Sequence, residues 1–230
     1  MLTIGLLGGM SWESTAEYYR LINRGVRDRL GGDHSARIIM LSVDFGAISP
    51  LLLGGKWDEL EAVLASEARR LKAAGADFLV IATNSMHMFA AAIEVASGLE
   101  VLHIADPTGA AIQAAGHRRV GLIATRSTME QPFYRDRLRD LFGIEVITPD
   151  DEDRATVHRV IFEELVRGEV RTESREAYRA VMARLADEGA EAIVLACTEV
   201  MLLVRPKDSS VPLFDTTALH AAAAVERALG

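Results

Sequence analysis

Short apolar runs alternate along this chain with longer segments whose apolar residues return every three or four positions. Thr3–Gly8 reads as a strand, and a helix follows from about Ser14 to Leu30. Arg37–Ser42 reads as a second strand. Beyond a Gly-rich loop, Trp57–Ala74 carries apolar residues at 57, 60, 63, 64, 68 and 71, the spacing of one buried helical face. A strand at Leu79–Ala82, a helix at His87–Ala96 and a strand at Val101–Ile104 close the first half, and Asp106-Pro107 then reads as an N-cap with proline at the first helical position. In the second half the pattern predicts strands at Arg119–Ala124, Ile144–Thr148, Ala192–Ala196 and Leu213–Asp215. Helices are predicted at Met129–Phe142, Asp153–Arg167 and Ser174–Glu188, from about Thr198, and at Thr217–Leu229. Strands joined through helices need crossover connections. The fold class is therefore α/β, with mainly parallel sheets, helices on both faces, and ligands bound beyond the carboxyl ends of the strands.

One phrase occurs twice. Residues 75–84 read Gly-Ala-Asp-Phe-Leu-Val-Ile-Ala-Thr-Asn and residues 189–198 read Gly-Ala-Glu-Ala-Ile-Val-Leu-Ala-Cys-Thr, at a constant offset of 114. In each copy a Gly-Ala-acid turn feeds a strand-type run that ends on a small polar residue, Thr83 in the first and Cys197 in the second. A fainter echo joins Ile4-Gly5-Leu6-Leu7 to Val120-Gly121-Leu122-Ile123, and Tyr19-Arg20 to Tyr134-Arg135. The repeats divide the chain into two similar α/β domains, residues 1–105 plus 212–230 and residues 106–211. Duplicated strand ends related by a pseudo-twofold axis would present one reactive group to each side of a ligand, which suits chemistry at a single carbon stereocentre.

Composition narrows the class. The 230 residues are half apolar yet contain no uninterrupted apolar stretch of membrane length, and the start lacks the basic region of a secretory signal. A net charge of −8 argues against nucleic acid and other phosphate backbones as partners. The single cysteine excludes an internal disulfide and fits a reducing cytoplasm. Histidines 34, 103, 117, 158 and 220 are scattered without ligand-like spacing, so no metal is expected. His87, one turn into a helix beside Thr83, reads as structural sooner than catalytic. Gly5-Leu6-Leu7-Gly8-Gly9 lacks the G-x-G-x-x-G spacing of a dinucleotide site.

Four blocks carry a family resemblance: Gly8-Gly9-Met10-Ser11-Trp12-Glu13-Ser14-Thr15, Ala82-Thr83-Asn84-Ser85-Met86-His87, Thr125-Arg126-Ser127-Thr128-Met129 with Phe133-Tyr134, and Ala196-Cys197-Thr198-Glu199. In order and spacing the chain resembles the aspartate/glutamate racemase family. The resemblance implies a racemase that needs no cofactor, built as a homodimer of chains with two pseudo-symmetric three-layer domains and an active site in the cleft between them. It implies an amino-acid substrate, L-aspartate or L-glutamate first among them, and catalytic roles for Cys197 and Thr83. Met10, Asn84, Ser85, Thr198, Glu199, Leu52 and Thr125 match positions at or near the substrate.

Racemisation without pyridoxal phosphate needs acid/base groups on both faces of the α-carbon and donors for the carbanionic charge. A thiol serves as base when a helix N-terminus or nearby cation lowers its pKa, and Cys197 stands at a predicted strand-to-helix junction. Many relatives carry a second cysteine where this chain has Thr83, whose hydroxyl can give or relay a proton but hardly abstract one from carbon. The expectation is an enzyme that deprotonates the L-enantiomer through Cys197 and handles the D-enantiomer poorly or not at all. Glu199 reads either as a partner for the substrate's ammonium or as an ordinary first-turn acid, and Thr128 as a pocket residue or an N-cap. Leu52 replaces a glutamine found in relatives and cannot hydrogen-bond a distal carboxylate. That leaves Lys56 or Arg167 to hold an acidic side chain, or a less polar substrate. A single-cysteine decarboxylase or isomerase of the same superfamily and a non-catalytic amino-acid-binding protein remain the alternatives.

Overall fold

The first strand, β1 (Ile4–Gly8), is buried at every residue, so both of its faces must be covered. The computed structural model describes residues 1–230 and resolves two compact units, Met1–His103 with His220–Gly230, and Ile104–Leu219. In the first unit, β1 is followed by α1 (Trp12–Leu30), β2 (Ile38–Ser42), α2 (Phe45–Leu53), α3 (Trp57–Ala73), β3 (Phe78–Ile81), a 3-10 turn at Ser85–Phe89 and α4 (Ala90–Ser97). The strands pair in parallel in the order β2-β1-β3, with Leu7 beside Leu41 and Ile81. Alternation along the strands sorts their side chains between two cores. Ile4, Leu6, Phe78 and Val80 join Tyr18, Ile22 and Val26 of α1. Leu7, Leu79 and Ile81 join Leu60, Leu64 and Leu71 of α3.

Two expectations for this unit are revised. The presumed loop before Trp57 holds α2, started by Asp44, whose side chain accepts from the Gly46 N–H at 2.9 Å. The presumed strand Val101–Ile104 shrinks to a single parallel bridge between Leu79 and Val101, because the chain leaves at once for the second unit.

The second unit continues with α5 (Ala105–Ala114), β4 (Arg119–Ala124), α6 (Arg126–Glu130), α7 (Pro132–Phe142), β5 (Glu145–Ile147), α8 (Asp151–Glu163), a 3-10 turn at Leu165–Arg167, α9 (Thr172–Asp187), β6 (Ala192–Ala196), α10 (Val200–Leu203) and β7 (Leu213–Asp215). The helix α11 (Thr216–Leu229) ends the chain. All strands are parallel in the order β5-β4-β6-β7, so the first three repeat the order of the other sheet. Asp106 does not cap α5. It lies in the first turn, where the Arg137 guanidinium grips both carboxylate oxygens at 2.5 and 2.7 Å. Thr128 is inside α6 and is no N-cap, since the helix expected from Met129 is divided at Gln131 by Pro132. Because β7 pairs with β6, the chain stays in the second unit beyond Pro212 and returns to the first at His220. No helix is long and apolar enough to cross a membrane.

His220 ties this return to the first unit. Its Nε2–H donates to the Leu102 carbonyl at 2.7 Å, which leaves Nδ1 to accept from the Tyr18 hydroxyl at 2.8 Å. Burial, with the neighbouring His87, pushes the His220 pKa down to about 3. The unfolded chain therefore binds a proton that the folded chain refuses, and stability falls as pH drops from about 6.5 toward 3. We expect chemical denaturation across that window to lose about 1.4 kcal/mol more per pH unit in the native protein than in a His220→Gln variant. Equal slopes would show that His220 does not carry the effect.

Candidate active site

Leu7 of β1 lies beside Ile81 of β3, so the residues after the two strands emerge together at the carboxyl end of the first sheet. After β1, the Gly9 N–H donates to Thr15 Oγ1 at 2.8 Å, and that hydroxyl donates to the Ser11 carbonyl at 2.9 Å. The loop has no room for side chains. A Cβ on Gly9, whose φ is +90°, would stand 2.2 Å from the Val43 carbonyl oxygen, and one on Gly8 would stand 2.3 Å from Thr15 Cγ2. The glycines thus close the loop onto α1 and β2, and Gly9 spends its amide on Thr15, not on a phosphate. Met10 is buried in the cluster that holds Leu7, Ile81 and Met86. After β3, the Thr83 N–H donates back to the Ile81 carbonyl at 2.9 Å, which turns the chain sharply. Thr83 is half-buried with its Oγ1 3.4 Å from Ser85 Oγ, while Asn84 and Ser85 are buried.

The second sheet repeats this arrangement. Ala124 of β4 pairs with Ala196 of β6, so Thr125 and Cys197 are the next residues on neighbouring strands. The Thr125 hydroxyl stays within its own turn, 3.3 Å from Ser127 Oγ and 3.4 Å from Thr128 Oγ1. Cys197 is buried, and its S–H donates to Glu199 Oε2 at 3.1 Å. Thr198 Oγ1 donates to the same oxygen at 2.7 Å. Burial first, and the Glu199 carboxylate second, push the Cys197 thiol well above the ordinary thiol range. The backbone N–H groups of Glu199 and Val200 favour the thiolate but are outweighed. The expected help from a helix N-terminus is small, because α10 is only Val200–Leu203 and few peptide dipoles align behind the sulfur. At rest Cys197 is a thiol with a carboxylate oxygen positioned to take its proton.

The profile of the Asp/Glu/Hydantoin racemase family matches residues 7–224. The chain belongs to that family. A Yersinia pestis crystal structure with a provisional Asp/Glu racemase assignment is 52% identical with a TM-score of 0.93, and an aspartate racemase homologue from Pyrococcus horikoshii is 30% identical with a TM-score of 0.85; each is matched over 100% of both chains. The broad-specificity amino-acid racemase RacX of Bacillus subtilis is 23% identical over 96% of both chains.

Within this racemase-family fold, the softer candidates separate. Leu52, on α2, packs partly buried against the apolar cluster that includes Met10. Lys56 is exposed and paired with Glu59 at 3.0 Å. Arg167 is exposed at the end of the 3-10 turn that packs against α10, the helix just after Cys197. Tyr178 of α9 escapes a reading of the sequence. It is fully buried, its hydroxyl donates to the Val157 carbonyl at 3.0 Å, and burial, followed by the nearby Cys197, holds its proton in place. No local pattern marks it, since a tyrosine on the inner face of an amphipathic helix looks like ordinary core. Replacing Glu199 by Gln removes the charge that opposes thiolate formation, and ultraviolet titration of the thiolate should find its midpoint at lower pH than in the native protein. An unchanged or higher midpoint would remove Glu199 as the controlling group.

Proposed function

We propose that this chain is a cofactor-independent amino-acid racemase acting on L-aspartate or L-glutamate, with Cys197 as the base and Thr83 as the acid on the opposite face. The observation that carries this reading is the hydrogen bond from the Cys197 thiol to Glu199 Oε2. On substrate binding the thiol proton passes to Glu199, and the thiolate takes the α-proton of the L-enantiomer, breaking C–H and forming S–H. The electron pair left on the α-carbon spreads into the substrate carboxylate, where donors among Asn84, Ser85 and Thr198 stabilise it. Thr83 Oγ–H then gives its proton to the other face, and solvent restores that proton, with the Ser85 hydroxyl at 3.4 Å available as a relay. Glu199 releases the first proton, so no reagent is consumed.

Threonine in place of a second thiol makes the two faces unequal, but the enantiomers have equal free energy. Net inversion must therefore have the same kcat/KM in both directions, which revises the expectation that the D-enantiomer is handled poorly or not at all, and the inequality is expressed in exchange. A proton taken by Cys197 can be replaced by one from solvent and returned to the same face. In heavy water we expect deuterium to enter the L-enantiomer faster than the D-enantiomer appears, exchange into added D-enantiomer to be no faster than inversion, and both reactions to vanish in Cys197→Ser. Comparable exchange into both enantiomers would sink the Thr83 assignment. Absence of exchange into any amino acid would favour a non-catalytic binder.

For the distal carboxylate, Arg167 is better suited than Lys56, which is engaged by Glu59. An Arg167→Gln variant should raise KM for the acidic substrate roughly ten-fold, the scale of one lost hydrogen bond to a charged group, with little change for an uncharged amino acid of similar size. Equal effects on both would exclude Arg167 from the side-chain subsite.

A further inference from the structure

The imidazole of His87 folds back on the turn that carries Thr83, and its Nδ1 lies 2.8 Å from the Thr83 carbonyl oxygen. A carbonyl only accepts, so Nδ1 carries the hydrogen. The ring is buried and wedged between two others of the same unit, with centroids 4.8 Å from His103 and 5.5 Å from His220. His220 is fixed at both nitrogens by Tyr18 of α1 and the Leu102 carbonyl, and the Leu102 N–H in turn donates to Leu79 of β3. A continuous set of contacts therefore runs from α1 and β3 to the Thr83 carbonyl. The Thr83 N–H is held separately by Ile81. With both backbone groups of Thr83 anchored, its Cα–Cβ bond has a set direction, and rotation about that bond is the main freedom left to the hydroxyl. The 3-10 turn itself does not call for a histidine, because its closing bond runs from the His87 backbone N–H to the Asn84 carbonyl. An apolar side chain would fill the same volume without holding the carbonyl.

We propose that His87 is a positioning residue for the inverting step, fixing the Thr83 hydroxyl against the substrate face opposite Cys197. This rests on the racemase reading above and adds a residue to it. Proton delivery is sensitive to placement, since a displacement of about 1 Å can cost on the order of a hundred-fold. Removal of the α-proton by Cys197 does not pass through the Thr83 turn, so loosening that turn separates inversion from exchange.

The test uses the full-length protein with L-aspartate or L-glutamate in heavy water, reading α-deuteration of recovered L-substrate by NMR and D-product by chiral chromatography in one reaction. His87→Ala should lower the ratio of inversion to exchange on the order of ten-fold or more. His87→Asn, whose side-chain N–H can occupy the place of Nδ1–H, should restore most of that ratio. A ratio unchanged in His87→Ala, or His87→Asn no better than His87→Ala, overturns the assignment. Nitrogen-15 NMR of the native protein gives an independent reading that survives poor folding of any variant. The Nδ1-protonated form of His87 supports the proposal, and the Nε2-protonated form overturns it. Exchange that persists in Cys197→Ser removes the underlying racemase reading and this one with it. Exchange lost in Cys197→Ser, with an unchanged ratio in His87→Ala, overturns the role of His87 alone.

Discussion

The candidate reacting groups stand just beyond strands that are buried along their whole length, β3 before Thr83 and β6 before Cys197. A parallel strand covered on both faces has side chains committed to the core in each direction, and only its end is open to chemistry. The middle strands β1 and β4 add their own ends beside these, bringing Met10 to the Thr83 turn and Thr125 beside Cys197. Inserting a side chain at Gly8 or Gly9, where Cβ atoms would collide at 2.3 and 2.2 Å, would push the β1 loop off α1 and β2 and disturb that edge.

The two units manage charge differently at equivalent places. Beyond β6, a buried thiol and a hydroxyl share one carboxylate oxygen, so proton transfer within the group is short and sulfur stays protonated until something changes the balance. Beyond β3 the turn is held by a ring nitrogen on the Thr83 carbonyl. Its order comes from packed imidazoles, one of them held neutral by burial. A carboxylate beside a thiol adjusts a pKa, whereas packed rings fix geometry. In the proposed racemisation, a base whose strength must be controlled and an acid whose position must be controlled would call for these two kinds of surroundings respectively.

Much of the fold was legible because strand and helix periods differ and because the phrase ending on Thr83 and Cys197 is repeated. The strands β1 to β7 fall where their apolar runs predict, to within a residue or two. The misreadings have local causes. Gly46, Pro50 and the Gly54-Gly55 pair made α2 look like loop, although Asp44 supplies an N-cap before it. Val101–Ile104 has strand composition but finds only one bridge, because composition does not reveal when the chain departs. Asp106 has the local look of a cap, and Arg137, thirty-one positions away, claims it.

The sequence by itself determined most of the elements, the parallel class, the family and the residues worth watching, since each depends on near neighbours along the chain or on a repeated motif. Tertiary structure alone decided what those residues experience. The upward push on Cys197 comes from burial and from where the Glu199 side chain turns, and His87, His103 and His220 form a cluster only after the chain has left the first unit and returned. Desolvation and orientation depend on atoms brought together from distant positions, and no local pattern encodes them.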